Sequence, residues 1–510
     1  MQCKDYRRPL HRFDRSLTAI SGDGTDADVV VGPAAASFTK SGAMRSLNAW
    51  AAKQPLPDAS PASPGPEPLP AVASSPTQVP SNDTSAHSTH RKPSVFVAGS
   101  LAVDLSCDYA LQDHDRAAGG ATLKPAVNTS NPAIITQTLG GVGSNVARVA
   151  HLMGADVRLC SAVGDDLGGK AALEALNNLG MDTVGVKIMR RASESRTAQY
   201  VAINDSSKDL VLAMADISIL ESTESGLDTI SDALDTFWLP HLRQLQPPHL
   251  VLDGNWPSAH LAKWLSAAKA QESRPFTIFE PVSTAKSTRP FRLPKPHTLS
   301  TFPNPLIDLT TPNRYELAAM HSAAREAGFF ERADWWEVVD ALGIPSTGAR
   351  AQMTLATSSQ LVNEGIPQQS VQLLPFFPAI CTKLGSEGVL LTQILAANDP
   401  RLTSGEYAPY ILSRCANGPE EKVGVGGVYM RLFPTVESVG EEEVVSVNGV
   451  GDTFVGTLVA GLAKAKKEGK GTEKEGKVEE MIDVAQRAAV LTLKSRESVA
   501  PGLGTLGMLI

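Results

Sequence analysis

From residue 94 onwards, short apolar runs alternate with segments of helical periodicity, and this alternation limits the folds open to the chain more than any other feature. The β-type runs lie at 94–105, 156–164, 249–256, 276–282 and 306–313, with a pair of strands around a glycine turn at 377–393. The helical segments lie at 142–154, 168–180, 452–467 and 478–495. Strands that alternate with helices favour a mainly parallel sheet with helices on both faces. The sequence therefore predicts an α/β fold with a parallel central sheet.

The first 92 residues differ in composition from the rest of the chain. The stretch 53–93 is rich in proline, alanine and serine and has few large apolar residues. Such a segment cannot bury enough apolar surface to offset the entropy lost on ordering. We therefore predict a disordered Pro/Ala/Ser-rich extension over residues 1–92 and one globular domain over residues 93–510.

Bulk charge and hydropathy exclude two classes of partner. The net charge of -8 and the absence of a basic stripe argue against a nucleic-acid partner. No apolar run approaches the ~18–20 residues of a membrane helix, so we expect no membrane partner. The five cysteines lie far apart without metal-ligand spacing, which indicates reduced, intracellular thiols. We expect a cytoplasmic protein; mitochondrial import is the alternative, disfavoured by Asp5 and Asp14 near the N-terminus.

Four segments interrupt the regular alternation. Residues 196–215, "RTAQYVAINDSSKDLVLAMA", form two β-type runs around an Asn-Asp-Ser-Ser turn, which predicts a hairpin. A hairpin inside an α/β chain is well suited to act as a small lid over a site. The stretches 286–305, 345–372 and 396–442 are rich in proline, glycine, serine and charge, and we predict that they are inserts.

The segment "TLGGVGSNVA" (138–147) contains a glycine turn that leads into a helix. A dinucleotide fingerprint would require glycine or alanine where Val146 stands, so this interpretation is disfavoured. A turn of this kind lets backbone approach a small polyhydroxy ligand, with the amide of Asn145 as donor and acceptor. An ordinary turn followed by an Asn cap explains the same residues, and the sequence leaves both interpretations open.

The segment "TPNRYEL" (311–317) places Asn313 and Glu316 on one face of the first turn of a predicted helix. Two such oxygen ligands are typical of a hydrated Mg²⁺ that carries nucleotide phosphates. The same pair fits a capping box, in which Asn313 caps the helix and Glu316 bonds back to it. The segment alone favours the cap.

The segment "VNGVGDTF" (447–454) indicates phosphate chemistry. Gly449, Val450 and Gly451 can direct their N–H groups to one point, at the positive end of a helix that begins near Asp452. Such a site would stabilise charge on a transferred phosphoryl group, and Asp452 could take the proton from the attacking hydroxyl. Helix capping alone explains the aspartate and leaves the glycines unexplained.

Six segments, in chain order, resemble the ribokinase-like (PfkB) carbohydrate kinases: "GSLAVDL", "GGVGSN", "VGDDLGG", "TPNRYEL", "TKLGSEGV" and "NGVGDTF". The resemblance covers roughly residues 93–507. Within the family, "LVLDGNW", "FEPVSTAKSTR" and the segment from residue 196 are most similar to pseudouridine kinases. The resemblance implies a ribokinase-like three-layer α/β/α sandwich with a small β-strand lid. It also implies ATP- and Mg²⁺-dependent phosphorylation of the 5′-hydroxyl of pseudouridine.

The same resemblance implies a role for each matching residue. Asp452 matches the catalytic base, and the Asn-x-x-Glu pair Asn313 and Glu316 matches the residues that organise Mg²⁺ and phosphate. The anion hole is matched by Gly449, Val450 and Gly451. The sugar pocket is matched by Asp104, Gly140, Gly141 and Asn145, with Thr197, Gln199 and Asn255 as further substrate contacts. The nucleotide site is matched by Lys383, Gly385, Gly388 and Gln486.

Two features depart from the family pattern. Many members carry aspartate six residues before the base, at a monovalent-cation site, and this chain has Ser446 there, so the resemblance does not extend to that site. Related eukaryotic kinases are often fused to a pseudouridine-5′-phosphate glycosidase, and residues 1–92 are too short and proline-rich for one.

We expect kinase activity alone, a small-molecule nucleoside substrate and a homodimer formed through lid strands. A ribose or purine nucleoside kinase and a non-catalytic ligand-binding relative are the alternatives.

Overall fold

The computed structural model describes residues 92–110, 124–190, 195–208, 210–223, 226–345, 348–415, 423–467 and 478–510. The predicted N-terminal extension, apart from its last residue, lies outside the described residues. Among the helices that are described, none is both long and apolar enough to cross a membrane.

The centre of the described structure is a ten-stranded sheet. Its strands are β1 (Val95–Ala98), β4 (Val157–Gly164), β5 (Val186–Met189), β8 (His249–Asp253), β9 (Phe276–Glu280), β10 (Leu309–Thr310), β11 (Ala379–Lys383), β12 (Val389–Ala396), β13 (Ile411–Arg414) and β14 (Val425–Phe433). The order is β13-β14-β12-β11-β10-β9-β8-β1-β4-β5. All pairs from β11 to β5 are parallel, and β12, β13 and β14 extend the sheet in antiparallel pairing. The predicted mainly parallel sheet is confirmed.

Helices cover both faces of this sheet. They are α1 (Val142–Leu152), α2 (Leu167–Asn178), α3 (Ser218–Glu221), α4 (Ile230–Ala233), α5 (Leu239–Leu245), α6 (Ser258–Lys269), α7 (Arg314–Glu326), α8 (Ala333–Ala341), α9 (Arg350–Ala356), α10 (Ser359–Glu364), α11 (Ile366–Leu373), α12 (Val450–Lys467) and α13 (Val478–Leu493). A π-helical turn, Leu234–Trp238, joins α4 to α5.

Strand β1 shows why the fold has three layers. All four of its side chains are buried, and they alternate between two separate hydrophobic cores. Val95 and Val97 pack in the core that contains α1, α12 and α13, whereas Phe96 and Ala98 pack in the core that contains α6 and α7. Alternate side chains of a strand point to opposite faces, so a strand that is apolar throughout requires cover on both sides.

A second, four-stranded sheet has the order β3-β2-β6-β7, with β2 at Ala102–Tyr109, β3 at Ala133–Gly140, β6 at Ala198–Asn204 and β7 at Leu210–Asp216. The predicted hairpin 196–215 corresponds to β6 and β7. The interpretation of 94–105 as a single strand followed by a turn is wrong. The chain leaves the large sheet after β1 and enters the small one as β2, so the lid has twice the predicted number of strands.

The three predicted inserts carry regular structure. Residues 286–305 begin with a 3₁₀ helix, and 345–372 contain α9, α10 and most of α11. Residues 396–442 contain β13 and β14, which pair with each other and extend the large sheet beyond β12. These last strands are therefore part of the sheet rather than surface loops.

Candidate functional site

Polar side chains gather at the carboxyl edge of the parallel strands. Asp253 ends β8, Glu280 ends β9, and Lys383 ends β11, while Ser100 follows β1 and Asn313 follows β10. Parallel strands end at one edge of their sheet, and ligands of open α/β folds bind there. The helices α1 and α12 begin at the same edge and bring Asn145 and Asp452 to it.

Asp452 lies in the first turn of α12 and bonds across to α1. Its Oδ2 accepts a hydrogen bond of 2.8 Å from Nδ2 of Asn145, a residue 307 positions earlier. Burial raises the pKa of Asp452 from 3.8 to about 7; the Asn145 bond opposes this rise and the charge on Glu280 adds to it. A carboxyl group with a pKa near neutrality is suited to take up a proton in a reaction at physiological pH.

Arg148 fixes the orientation of the Asn145 amide. It is buried in α1, and its Nη1 donates to the backbone oxygen of Leu139 at 2.8 Å and to Oδ1 of Asn145 at 3.3 Å. With Oδ1 held by Arg148, Nδ2 of Asn145 is the end that faces Asp452. Both ends of this amide therefore bond within the protein, and the Nδ2 bond positions the carboxylate of Asp452.

Asp104, in lid strand β2, lies directly over the glycine turn. A Cβ on Gly140 would lie 2.2 Å from the carboxylate of Asp104, so only glycine leaves room for that side chain. Burial raises the pKa of Asp104 to about 6, which Ser498 and Arg148 partly counter. The Ser498 hydroxyl lies 3.4 Å from this carboxylate. Asp104 and Gly140 thus lie together near the start of α1, where the resemblance predicts a sugar site, and Gly141 caps that helix with a positive φ of 88°.

The glycine turn before α12 is closely packed. Gly449 has φ 74°, and a Cβ there would lie 1.9 Å from the carbonyl oxygen of Ser498. Its own carbonyl accepts the first hydrogen bond of the helix, from the Thr453 amide at 2.8 Å. The amides of Gly449, Val450 and Gly451 therefore lie at a helix N-terminus beside Asp452, a suitable place for an anion.

Lys383, at the end of β11, forms an ion pair with Glu280. Its Nζ lies 2.9 Å from both carboxylate oxygens of the buried Glu280. Burial lowers the pKa of Lys383, but Glu280, Glu316 and Asp452 outweigh this and raise it above its ordinary value. The ammonium group is therefore at the carboxyl edge beside Asp452.

The other predicted nucleotide residues lie in the turn after β11 and in helix α13. Gly385 and Gly388 form the turn between β11 and β12, both with positive φ. Gln486 lies in α13, and its Nε2 donates to the backbone oxygen of Pro434 at 3.1 Å. A Cβ on Gly388 would lie 2.8 Å from the carbonyl carbon of Pro434, so Gln486 and this turn approach the same backbone segment.

Asn313 and Glu316 form the capping box that the segment alone favours. Oδ1 of Asn313 accepts from the amides of Tyr315 and Glu316 at 2.9 Å each, and Oε2 of Glu316 accepts from the Asn313 amide at 2.8 Å. One oxygen of each side chain is thus used in the cap, and Oε1 of Glu316 remains for a ligand. In the part of the chain that is described, His, Cys, Asp and Glu form no cluster of three that could hold a metal by itself. The residues fit a Mg²⁺ bound mainly through water and phosphate.

Asn255 belongs to a buried network around Asp253. Asp253 accepts hydrogen bonds from the Ser100 amide at 2.8 Å and the Gly143 amide at 3.1 Å, and Asn255 Nδ2 lies 3.0 Å from the same carboxylate. Oδ1 of Asn255 accepts from Lys286 at 2.6 Å. Asn255 thus joins β8 to the loop after β1, and both ends of its amide form hydrogen bonds within the protein.

Thr197 directly precedes lid strand β6, and Gln199 lies within that strand. The Thr197 hydroxyl donates to Asp166 at 2.6 Å and accepts from the Gly164 amide at 2.9 Å, and the side chain is buried. Gln199 pairs with Val103, whereas Asp104 pairs with Tyr200, so Gln199 lies on the face of the lid opposite Asp104.

Four residues of the site have no counterpart in the sequence-based prediction: Asp253, Glu280, Arg148 and Ser498. Asp253 and Glu280 did carry a signal, since each is the single acid at the end of an apolar run predicted as a strand. Arg148 is a lone cation inside an otherwise apolar helix segment. Ser498 has no local signal.

The comparisons with known proteins agree with this geometry. The sequence matches the family described as "pfkB family carbohydrate kinase" over residues 103–344 and 434–503, which is more than half of the chain. The chain therefore belongs to the pfkB family of carbohydrate kinases. In structure it is similar to a ribokinase from Giardia lamblia, with 15% identity, a TM-score of 0.50, and coverage of 82% of this chain and 98% of that one. This likeness shows the ribokinase-like α/β fold.

Two curated relatives match parts of the sequence. A "Pseudouridine-metabolizing bifunctional protein" of Schizosaccharomyces pombe is 30% identical over 385 residues, which cover 74% of this chain and 44% of that protein. The "Uncharacterized sugar kinase YeiI" of Escherichia coli is 35% identical over 103 residues, which cover 20% of this chain and 28% of that protein. The chain spans less than half the length of the curated relatives it matches.

Proposed function

We propose that this chain is an ATP-dependent kinase that phosphorylates the 5′-hydroxyl of pseudouridine, giving pseudouridine 5′-phosphate and ADP. The observation that carries the kinase assignment is Asp452, held by Asn145 beside the helix N-terminus at Gly449–Gly451. Family membership supports the same chemistry. The choice of pseudouridine rests on the similarity to the S. pombe protein.

In this reaction the acceptor nucleoside lies between Asp104 and Asp452. As the hydroxyl oxygen attacks phosphorus, its proton passes to Asp452 and the bond from phosphorus to the ADP oxygen breaks. The amides of Gly449–Gly451 stabilise the charge on the transferred group, without reorganisation because the turn is already packed. Closure of the lid excludes water that would otherwise take the phosphoryl group.

We propose Mg²⁺ as the accompanying ion, held near Asn313 and Glu316 through water and the nucleotide phosphates. When bound, it neutralises phosphate charge. The buried carboxylate of Glu316 supports this assignment, because a cation at that place offsets its charge. ATP would extend from there towards Gly385, Gly388 and Gln486. We propose a cytoplasmic location on the ground that the family is generally cytosolic.

ATP consumption by the purified chain with Mg²⁺ tests the substrate assignment. Pseudouridine, uridine, adenosine and ribose are offered in parallel, and we expect pseudouridine to give the highest kcat/KM. Uridine is the matched control, because it differs only in the bond between base and sugar. Preference for ribose or adenosine would change the substrate assignment and leave the kinase assignment intact. Folded protein without turnover on all four would favour the ligand-binding alternative.

We propose that the lid forms a homodimer with a second copy of the chain. The face of the small sheet opposite Asp104 carries a row of apolar side chains, formed by Ile135, Cys107, Ile203 and Leu212 on paired strands. Ile135 is 66% exposed and Leu212 50% exposed. Exposure of neighbouring apolar side chains to water is unfavourable, and such patches mark protein–protein contacts. We expect Leu212→Asp to convert a dimer into a monomer in light scattering. A wild-type monomer, or a variant that stays dimeric, would contradict this interface.

A further inference from the structure

Lys383 connects three parts of the site. Its backbone amide donates to the carbonyl oxygen of Pro312 at 2.8 Å, which fixes β11 beside the start of α7. Its Nζ lies between the two oxygens of Glu280, at 2.9 Å from each. A Cβ built on Gly451 would lie 3.2 Å from the same Nζ. The ammonium group therefore lies at the glycine turn that opens α12, next to Asp452.

The donors of Lys383 leave room for a ligand. A lysine ammonium group has three N–H donors, and two of them suffice for the oxygens of Glu280. The side chain of Glu280 is 4% exposed and that of Lys383 17% exposed, so the carboxylate is the more enclosed partner. Thr311 donates its hydroxyl to Oε2 of Glu280 at 2.5 Å and thereby fixes the carboxylate. The carboxylate thus has Thr311 and Lys383 as partners, whereas the ammonium group at the glycine turn keeps a donor for a ligand.

We propose that Lys383 is a catalytic residue that contacts the transferred phosphoryl group, and that Glu280 is the positioning residue that holds it there. The inference rests on the proposed kinase function. The new bond forms between the acceptor oxygen and phosphorus, the bond to the ADP oxygen breaks, and the hydroxyl proton goes to Asp452. Lys383 keeps its proton throughout and neutralises charge on the peripheral phosphoryl oxygens.

A purely structural ion pair is the alternative, and single substitutions cannot exclude it. Lys383→Met alone would leave Glu280 buried and unpaired, which is strongly destabilising whatever the role of the lysine. The decisive protein is therefore the double variant Lys383→Met/Glu280→Gln of the full chain, in which both charges are removed together. Glu280→Gln alone and Lys383→Arg, which retains the cation, complete the set. Lys263→Met, which removes a surface partner of Asp235, is the matched control.

We expect the double variant to unfold at about the wild-type denaturant midpoint but to lose about a hundredfold in kcat, with the KM for the acceptor changed only a few-fold. Lys383→Arg should recover part of this loss, and Lys263→Met should match the wild type. As a second readout, ADP with aluminium fluoride, which mimics the phosphoryl group in transfer, should bind the wild type and not the double variant.

The outcomes separate this inference from the proposed function. A folded double variant with wild-type kcat and undiminished aluminium fluoride binding would overturn the role of Lys383 and leave the kinase intact. Absence of turnover by the wild type with every acceptor would overturn the proposed function, and this inference with it. Loss of kcat in the double variant that Lys383→Arg fails to restore in any part would overturn the charge-based role.

Discussion

Asp452→Asn is expected to fold like the wild type and to lose kcat by on the order of 10²–10⁴. The amide has the size of the carboxyl group, and its oxygen can still accept the hydrogen bond from Asn145. It cannot accept the proton of the attacking hydroxyl, so the barrier rises while binding is retained. The measurement is kcat with saturating ATP and the preferred acceptor, with denaturant unfolding alongside. Asp182→Asn, at a surface carboxylate paired with Arg158, is the matched control.

The pH dependence of wild-type activity should reflect the titration of Asp452. The pKa of Asp452 is raised by burial to about 7, so the base is protonated and inactive below that pH. We expect kcat/KM to rise with pH through about 7 and then to level off, and the residual activity of Asp452→Asn to lack this step. Asp104, with its pKa raised to about 6, adds a second step on the acid side.

The stability of the wild type should fall over the pH range in which its activity rises. The folded protein holds a proton on Asp452 at pH values where the unfolded chain has already lost it. The contribution of this group to stability therefore falls as pH rises from about 4 to about 7. Relative to the wild type, Asp452→Asn should consequently gain stability as pH rises from about 4 to about 7, with no further gain at higher pH. A variant with near wild-type kcat, or with the same pH step, would rule out Asp452 as the base.

The parts of the fold that could be predicted from the sequence are those with a local cause. The apolar runs of β8 and β9 predict buried strands because both faces of the sheet are covered. The capping box at Asn313 is likewise a contact within one helical turn. The division of 94–105 into two strands has no such signal. It depends on Asp253, which bonds the Ser100 amide from 153 residues away and turns the chain towards the lid.

The candidate site divides in the same way. The segment around Asp452 could be found because glycines and an acid at a helix start are unusual together. The ion pair between Lys383 and Glu280 could not be predicted, since the two residues lie 103 positions apart and nothing in either segment indicates the other. Asn145 was singled out as a sugar-pocket residue, and that role stays a prediction. Its contact with Asp452 could not be predicted, because it requires the packing of α1 against α12, which only the folded chain provides.

Gly449→Ala should damage stability and catalysis together. The residue has φ 74°, where an L side chain costs about 1–2 kcal/mol. In addition, the new Cβ would lie 1.9 Å from the carbonyl oxygen of Ser498, a backbone atom that cannot move alone. Relief of this overlap costs about 1–3 kcal/mol more and displaces the amides at the start of α12. We expect a lower unfolding midpoint and a loss of about 10²–10³ in kcat.

Gly180→Ala is the matched control for this variant. Gly180 follows α2 with the same φ of 74°, but a Cβ there meets no atom within 4 Å. The control therefore carries the backbone strain without the overlap, so it should lose only the ~1–2 kcal/mol of that strain and keep full kcat. The two variants together separate conformational strain from displacement of the turn. If Gly449→Ala lost stability but kept wild-type kcat, the amides of this turn would not be the donors that stabilise the phosphoryl group, and the anion would have to bind elsewhere along the carboxyl edge of the sheet.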